Sequence, residues 1–425
     1  MDAVLGQGSA EHPLSEQEVR ELTAAALEEA DLRGARVLVI IPDGTRTAPL
    51  PLFFRLFHEC LAGKARALDF LVALGTHPLL SEAALARLVG LSPEEQAGPF
   101  RDVRLFNHRW DLPETLTVVG TISREETRTL SQGLMDEEVP VAVNRLLLEY
   151  DQVLICGPVF PHEVVGFSGG HKYLFPGVAG QAIIDATHWL GALLTNMAIN
   201  GVVDTPVRAM LDRAATFLAV PILCFSLVMR GEDLVGLYIG PPRESQRAAA
   251  LLSAQVNIVY LDRAYHQVLA VAPPLYDDLW TAAKAMYKTE PIVADGGEVI
   301  VYAPHITEVS YTHGAVLDQI GYHTRDYYLA QMDRFAHVPR CVLAHSTHLK
   351  GQGTYEGGVE RPRIRVTLAT GIPEERCRRL NLGYRDPATV DPAAWEGRED
   401  EGVLLVRKAG ETLYRLREQA PARPE

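Results

Sequence analysis

The sequence predicts an α/β fold: two α/β domains with mostly parallel sheets and an active site in the cleft between them. Three observations carry that prediction. Apolar runs of strand length alternate with stretches of helical periodicity. The chain, at 425 residues, exceeds the size at which one core keeps growing. Its composition, 47% hydrophobic and 22% charged, is that of an ordinary globular protein.

In chain order, Ser15 with Glu18 forms a capping box ahead of Val19, Leu22, Ala26 and Leu27, which predicts a helix over residues 15–31. Residues 36–42 (RVLVIIP) then form a continuous apolar run, as expected of a strand buried on both faces, and residues 68–74 and 152–156 repeat it. Helical stretches at 50–61 and 81–89 lie between them. A second block, with apolar runs at 298–303 and 340–344, predicts a second α/β domain. The break at Val271-Ala272-Pro273-Pro274 sets the expected domains at 1–272 and 273–400. Beyond them residues 401–425 are polar, with 402–416 expected to return to the first domain.

The formal net charge of −14 argues against a nucleic-acid surface, which needs clustered Lys and Arg to displace counterions. Any positive groups for an anionic substrate must therefore be local to its site. Residues 1–13 have neither a basic n-region nor an apolar h-region, and no apolar run reaches membrane-spanning length. A cytoplasmic protein without a membrane partner is expected. The cysteines Cys60, Cys156, Cys224, Cys341 and Cys377 are odd in number and lack CxxC spacing, so reduced, buried thiols are expected.

In parallel sheets, ligands collect at the carboxyl ends of strands, and these ends are rich in chemistry here. The first run leads into Asp43-Gly44-Thr45-Arg46, the second into Gly75-Thr76-His77, and the third through Gly157-Pro158 to Pro161-His162. Glycines follow at 166, 169, 170 and 177, with Lys172 among them. Ser168-Gly169-Gly170 suits an anion-binding nest, or alternatively a pair of turns. His77 and His162, at strand ends, suit an acid–base pair. His188, within a helical stretch at 182–198, can offer one nitrogen to nickel, copper, iron or zinc.

The order Asp43-Gly44-Thr45-Arg46, Gly75-Thr76-His77, Pro161-His162, Gly166-Phe167-Ser168-Gly169-Gly170, Lys172, Pro176-Gly177 and a helical His188 resembles the lactate racemase family. The resemblance implies a racemase or epimerase that inverts C2 of a 2-hydroxy acid by proton-coupled hydride transfer. The implied cofactor is a nickel-pincer nucleotide joined covalently to Lys172, with nickel on His188. His77 and His162 correspond to the acid–base pair. Asp43, Arg46, Ser168, Gly169, Gly170 and Trp280 fall in the cofactor-binding segments, and Arg46, Thr281 and Lys284 in the substrate-binding ones. Thr281 stands where the lactate enzymes have Gln, so a substrate longer than lactate, such as a sugar acid, is expected, with lactate or malate as the alternative. The enzymes that make the cofactor are the implied partners.

Other signals are weaker. His305 with Glu308 and His313 lacks the spacing of a helical HExxH zinc site. His345, His348 and Lys350 follow the run at 340–344, where they either border the substrate or belong to a structural loop. No GxGxxG follows a strand, so Rossmann-type NAD binding is not expected. Two rival classes remain open: a zinc or iron hydrolase with His77, His162 and His188 as ligands, and a non-catalytic cofactor carrier.

Overall fold

The computed structural model describes residues 3–419. It divides into two compact units. Unit 1 comprises Met1–Phe160, Phe167–Thr187 and Val203–Val256, and unit 2 comprises Pro161–Gly166, His188–Val202 and Asn257–Glu425, so the chain passes between them five times. The boundary at Val256/Asn257 lies before the proline-rich break expected at 272/273. Two short segments around His162 and His188 belong to the second unit instead of the first.

Unit 1 is built on a seven-stranded sheet. Its strands are β1 (Leu5–Gly8), β2 (Arg36–Ile41), β3 (Ala67–Val72), β4 (Leu105–Asn107), β5 (Gln152–Pro158), β6 (Ile222–Arg230) and β7 (Asp233–Gly240). The order is β1-β7-β6-β5-β2-β3-β4. From β6 to β4 all neighbours are parallel, whereas β7 and β1 add an antiparallel edge. β2 is buried along its length apart from Arg36, as its unbroken Val-Leu-Val-Ile-Ile run requires.

Helix α1 (Glu16–Ala30) begins with the expected capping box: Ser15 caps the Glu18 N–H and Glu18 reaches back to Ser15. Helix α2 (Leu50–Leu61) buries Phe53, Phe54 and Phe57 on one face. Phe54 packs 4.8 Å from Phe70 of β3, and Phe57 meets Phe225 of β6 edge-on at 4.9 Å, centroid to centroid. This aromatic layer holds the centre of the sheet, so the carboxyl ends of adjacent β5, β2 and β3 are fixed. The chain runs from β2 outward to β4, then returns to the other side of β2 with β5, a topological switch point of the kind that binds ligands.

Unit 2 contains β8 (Ile258–Leu261), β9 (Tyr265–Val271), β10 (Val293–Ala303), β11 (Arg365–Thr370), β12 (Gly383–Tyr384), β13 (Val403–Val406) and β14 (Leu413–Leu416). Five form an all-parallel sheet in the order β12-β11-β10-β9-β13, and β8 pairs with β14. Residues 403–416 thus complete the second unit and do not return to the first; residues 420–425 of the expected tail lie outside the described residues.

The run at 340–344, expected as a strand, is the start of a helix, Arg340–Lys350. Four apolar residues in a row, Cys341 to Ala344, do not separate strand from buried helix. Here the run continues through His345, His348 and Leu349, and everything after Arg340 is buried, so the helix lacks an exposed face.

Candidate active site

In unit 1, Asp43 follows β2 and His77 follows β3. Asp43 is buried, and its Oδ1 accepts from the backbone N–H of Thr45 (3.0 Å) and the Thr45 hydroxyl (2.7 Å), closing a tight turn. Its Oδ2 lies 2.6 Å from Nδ1 of His77. An ionised carboxylate only accepts, so Nδ1 carries a proton and Nε2 is the nitrogen left to exchange one. The backbone of His77 is held too: its N–H donates to the Leu74 carbonyl (2.9 Å), and its carbonyl accepts from the Trp110 indole (2.9 Å). Arg46 is half-buried, donates to the Thr45 carbonyl (3.2 Å) and sends its field to buried Tyr173.

The glycine-rich segment after β5 is held by packing. Ser168 donates its N–H to the Phe160 carbonyl (2.8 Å), its hydroxyl donates to the Pro158 carbonyl (3.1 Å) and accepts from the Phe160 N–H (2.8 Å). The Gly170 N–H is directed to the Cys224 thiol. Gly169 and Gly170 have φ of 85° and 57°, and a Cβ on Gly169 would stand 2.5 Å from Val159 Cγ2. The segment turns into a short 3₁₀ helix, Gly170–Tyr173, and the N–H and hydroxyl of Ser168 are engaged within the protein. Buried Arg208 satisfies the carbonyls of Gly169 (3.0 Å) and Phe167, and burial lowers its guanidinium to about 10. Beyond the turn, His171 Nδ1 meets Asp212 at 2.7 Å, and Lys172 follows, half-buried. The sequence reading missed Asp212 and Arg208, which lie on a later helix (Pro206–Ala215) with no spacing signal to tie them to this turn.

In unit 2, His162 and Glu163 are both buried. His162 Nδ1 accepts from the Val164 N–H (3.1 Å), so the proton of the neutral ring sits on Nε2. The segment is tied down by Lys288, whose amine donates to the Pro161 carbonyl. His188 is half-buried on the helix Gln181–Leu194. Trp280, Thr281 and Lys284 lie on two short helices, Leu279–Ala282 and Lys284–Tyr287. Asp278 caps the first, accepting from the Thr281 N–H (2.9 Å) and hydroxyl (2.9 Å), and burial raises the Asp278 carboxyl above its ordinary value. The hydroxyl of Thr281 is thus spent on the cap. Lys284 is buried, its amine 4.8 Å from the Tyr276 ring centroid.

His345 stacks on Trp280 at 3.9 Å with a 5° interplanar angle and donates from Nε2 to the Trp280 carbonyl (3.1 Å). Burial depresses His345 to about 3 and His348 to about 4, so both rings are neutral near pH 7. Lys350 donates to the Asn381 carbonyl (2.5 Å). His305 bonds the Tyr276 carbonyl (3.0 Å), Glu308 pairs with Arg376 (2.6 Å), and His313 packs on Trp280. Among the described residues, no three His, Cys, Asp or Glu side chains group as a metal site.

Residues 10–200 match the model of the lactate racemase N-terminal domain. Two curated relatives named lactate racemase, from Thermoanaerobacterium thermosaccharolyticum and Lactiplantibacillus plantarum, are each 22% identical over 63% and 68% of this chain. The matched region spans 59% and 66% of their lengths. A crystal structure of a protein from Thermotoga maritima superposes with a TM-score of 0.89 at 31% identity, over 97% of this chain and all of that one. The chain thus shows family-level homology to the lactate racemases, at modest identity. The apoprotein structure of the Thermoanaerobacterium thermosaccharolyticum lactate racemase shares its fold, with a TM-score of 0.69 at 18% identity over 95% of this chain and 93% of that one. The family match covers the strand ends that carry Asp43, Arg46 and His77, and also His162, Lys172 and His188.

Proposed function

We propose that this chain is an isomerase that inverts C2 of a 2-hydroxy acid, with His77 and His162 moving the protons. Family-level homology supports the reading, and one observation carries it: Asp43 engages Nδ1 of His77, which leaves Nε2 of that ring to accept, whereas the Val164 N–H engages Nδ1 of His162, which leaves Nε2 of that ring to donate. Inversion at a carbinol carbon asks for that arrangement. One enantiomer must lose its hydroxyl proton as C2 becomes planar, and the other must regain one at oxygen as C2 is rebuilt from the opposite face. His77 takes the first proton and His162 gives the second, with the roles exchanged in reverse. Arg46 and Lys284 supply positive charge for the substrate carboxylate.

The family is linked to a nickel-pincer nucleotide, and this chain's donor set fits that group in part. The pincer arms bring metal donors of their own, so one imidazole is what the protein must add, and half-buried His188 can supply it. Lys172 offers the amine for covalent attachment. The Ser168–Gly170 turn offers no serine hydroxyl for a phosphate, which leaves Arg46 as the fitting cation in unit 1. When bound, the nucleotide supplies the centre that accepts and returns the C2 hydrogen with its electron pair. The enzymes that make and load it would be the partners.

For the substrate, the curated relatives are named for lactate, which supports lactate or malate over a sugar acid. The expectation of a longer acid, as read from Thr281, now rests on the small size of that residue, because its hydroxyl is bound to Asp278. The test is to incubate holoenzyme, made with the cofactor enzymes and nickel, with single enantiomers of lactate, malate and gluconate, following C2 by chiral chromatography. Inversion of at least one is expected, and inversion of none would sink the proposal.

A further inference from the structure

Although the chain carries a net charge of −14, one cavity of unit 2 is lined, among the described residues, by cations and no carboxylate. It has a volume of about 480 Å³, and Lys350, Arg363, Arg365 and Arg378 stand in its walls. The cavity lies at the amino ends of the parallel strands: Arg365 and Gly383 open β11 and β12, and Gly296 is near the start of β10. Trp280 and Thr281 instead follow the carboxyl end of β9, and the Trp280 N–H bonds the Val309 carbonyl beyond the carboxyl end of β10. The cavity is thus set apart from the residues proposed for the 2-hydroxy acid.

Lys350 is the buried cation of the four, only 9% exposed. An ammonium carries three donors, and the Asn381 carbonyl takes one. Among the described residues that is its only hydrogen bond, and the carboxylate of Glu360 reaches it by longer-range attraction alone. A buried cation with a single neutral partner asks for an anion. The arginines have donors in reserve as well. Arg365 spends Nε on Glu298 (3.1 Å) and keeps both terminal amines, and Arg378 spends Nε and Nη2 on one oxygen of Glu374 (2.8 and 2.6 Å) and keeps Nη1. Arg363 turns its terminal amines to the Val293 and Glu290 carbonyls and to Asp295, so it adds charge and no contact. Three cations with spare donors match the three terminal oxygens of a phosphomonoester, a dianion near neutral pH, better than the two coplanar oxygens of a carboxylate. Phosphate alone would not meet the apolar part of the wall, where Pro362, Ile364 and Leu382 stand.

We infer that this cavity is a second ligand site, for a small phosphomonoester whose phosphate is held by Lys350, Arg365 and Arg378 and whose organic part lies against Pro362, Ile364 and Leu382. It stands independently of the isomerase reading. Calorimetry on the holoenzyme, with the proposed nucleotide site of unit 1 filled, measures binding of ribose 5-phosphate, inorganic phosphate, ribose and acetate. Ribose 5-phosphate should bind at least about fourfold tighter than inorganic phosphate, the worth of one buried methylene, and ribose and acetate should not bind. Lys350→Met should weaken ribose 5-phosphate by at least about tenfold. The double variant Arg365→Gln, Arg378→Gln, confined to exposed side chains, should weaken it by about tenfold and decides the matter if Lys350→Met does not fold. Arg33→Gln, which removes an exposed, paired arginine of unit 1, should change nothing. No binding of ribose 5-phosphate, or unchanged affinity in the double variant, would overturn the inference. Loss of binding in Arg46→Gln with full binding in the double variant would also overturn it, by placing the anion in unit 1. Equal affinity for inorganic phosphate would overturn the phosphomonoester as the ligand.

Discussion

Asp43 holds His77 through a 2.6 Å bond from Nδ1 to Oδ2, while its other oxygen is committed to Thr45. That division of labour sets the tautomer. In Asp43→Asn the single oxygen stays with the two Thr45 donors and the amide NH₂ faces His77, which forces the ring proton onto Nε2, the wrong place for a base. The inversion rate should fall by about 10²–10⁴-fold with the melting temperature little changed. Nitrogen NMR of the His77 ring should report the switched tautomer. A rate within threefold of wild type would show that Asp43 does not orient the base.

Lys172, His188 and the two proton-moving histidines should separate by what their loss removes. Lys172→Ala should abolish a nucleotide-sized adduct in the intact mass, His188→Ala should lose nickel, and His77→Ala and His162→Ala should retain both yet drop about 10²–10⁴-fold in rate. Elemental analysis and mass spectrometry read these outcomes independently of turnover. Equal metal loss from His77→Ala, His162→Ala and His188→Ala would favour the hydrolase instead.

Much of unit 1 was legible because local signals there agree with the tertiary structure. The Ser15–Glu18 capping box, the buried runs of β2, β3 and β5 and the phenylalanines of α2 all became the elements they suggest. His77 and Asp43 could both be singled out because strand ends place them, but their pairing could not, because strand adjacency is a tertiary fact. The helix Arg340–Lys350 was misjudged because a fully buried helix shows no amphipathic period. The return of β13 and β14 to unit 2 was hidden for a similar reason: four-residue strands do not reveal their pairing partners.

Gly157, near the end of β5, tests how the strand supports the lysine segment. A Cβ there would lie 2.0 Å from the Tyr173 hydroxyl, and Tyr173 is buried directly after Lys172. Gly157→Ala should therefore displace Tyr173, destabilise the protein by about 1–3 kcal/mol and lower the yield of the Lys172 adduct. Calorimetry and intact mass check the two effects. An unshifted melting temperature with full adduct would show that the segment tolerates the displacement.

Acid should destabilise the protein well above the range where its carboxylates titrate. His108 is fully buried in unit 1, donating from Nε2 to the Ala179 carbonyl (3.1 Å) and accepting from Asn144 at Nδ1 (3.1 Å), and burial lowers it to about 4. In unit 2, His345 and His348 are lowered to about 3 and about 4 for the same reason. In the unfolded chain all three regain the ordinary value of about 6.5. Between that value and the folded ones the unfolded state binds more protons, so stability is greatest above about pH 6.5 and declines as pH falls toward 4. Each ring adds a slope approaching about 1.4 kcal/mol per pH unit once below its unfolded value. The raised carboxyl of Asp278 works in the opposite direction, whereas the lowered carboxylates of Asp69, Glu126 and Asp318 act only below about pH 4.5. Calorimetric scans from pH 7.5 to pH 5 should show falling melting temperatures and proton uptake on unfolding. In His108→Gln, whose amide can both donate to Ala179 and accept from Asn144, the pH dependence should flatten by one proton. Melting temperatures independent of pH across this range would mean that the three rings are not held neutral by burial.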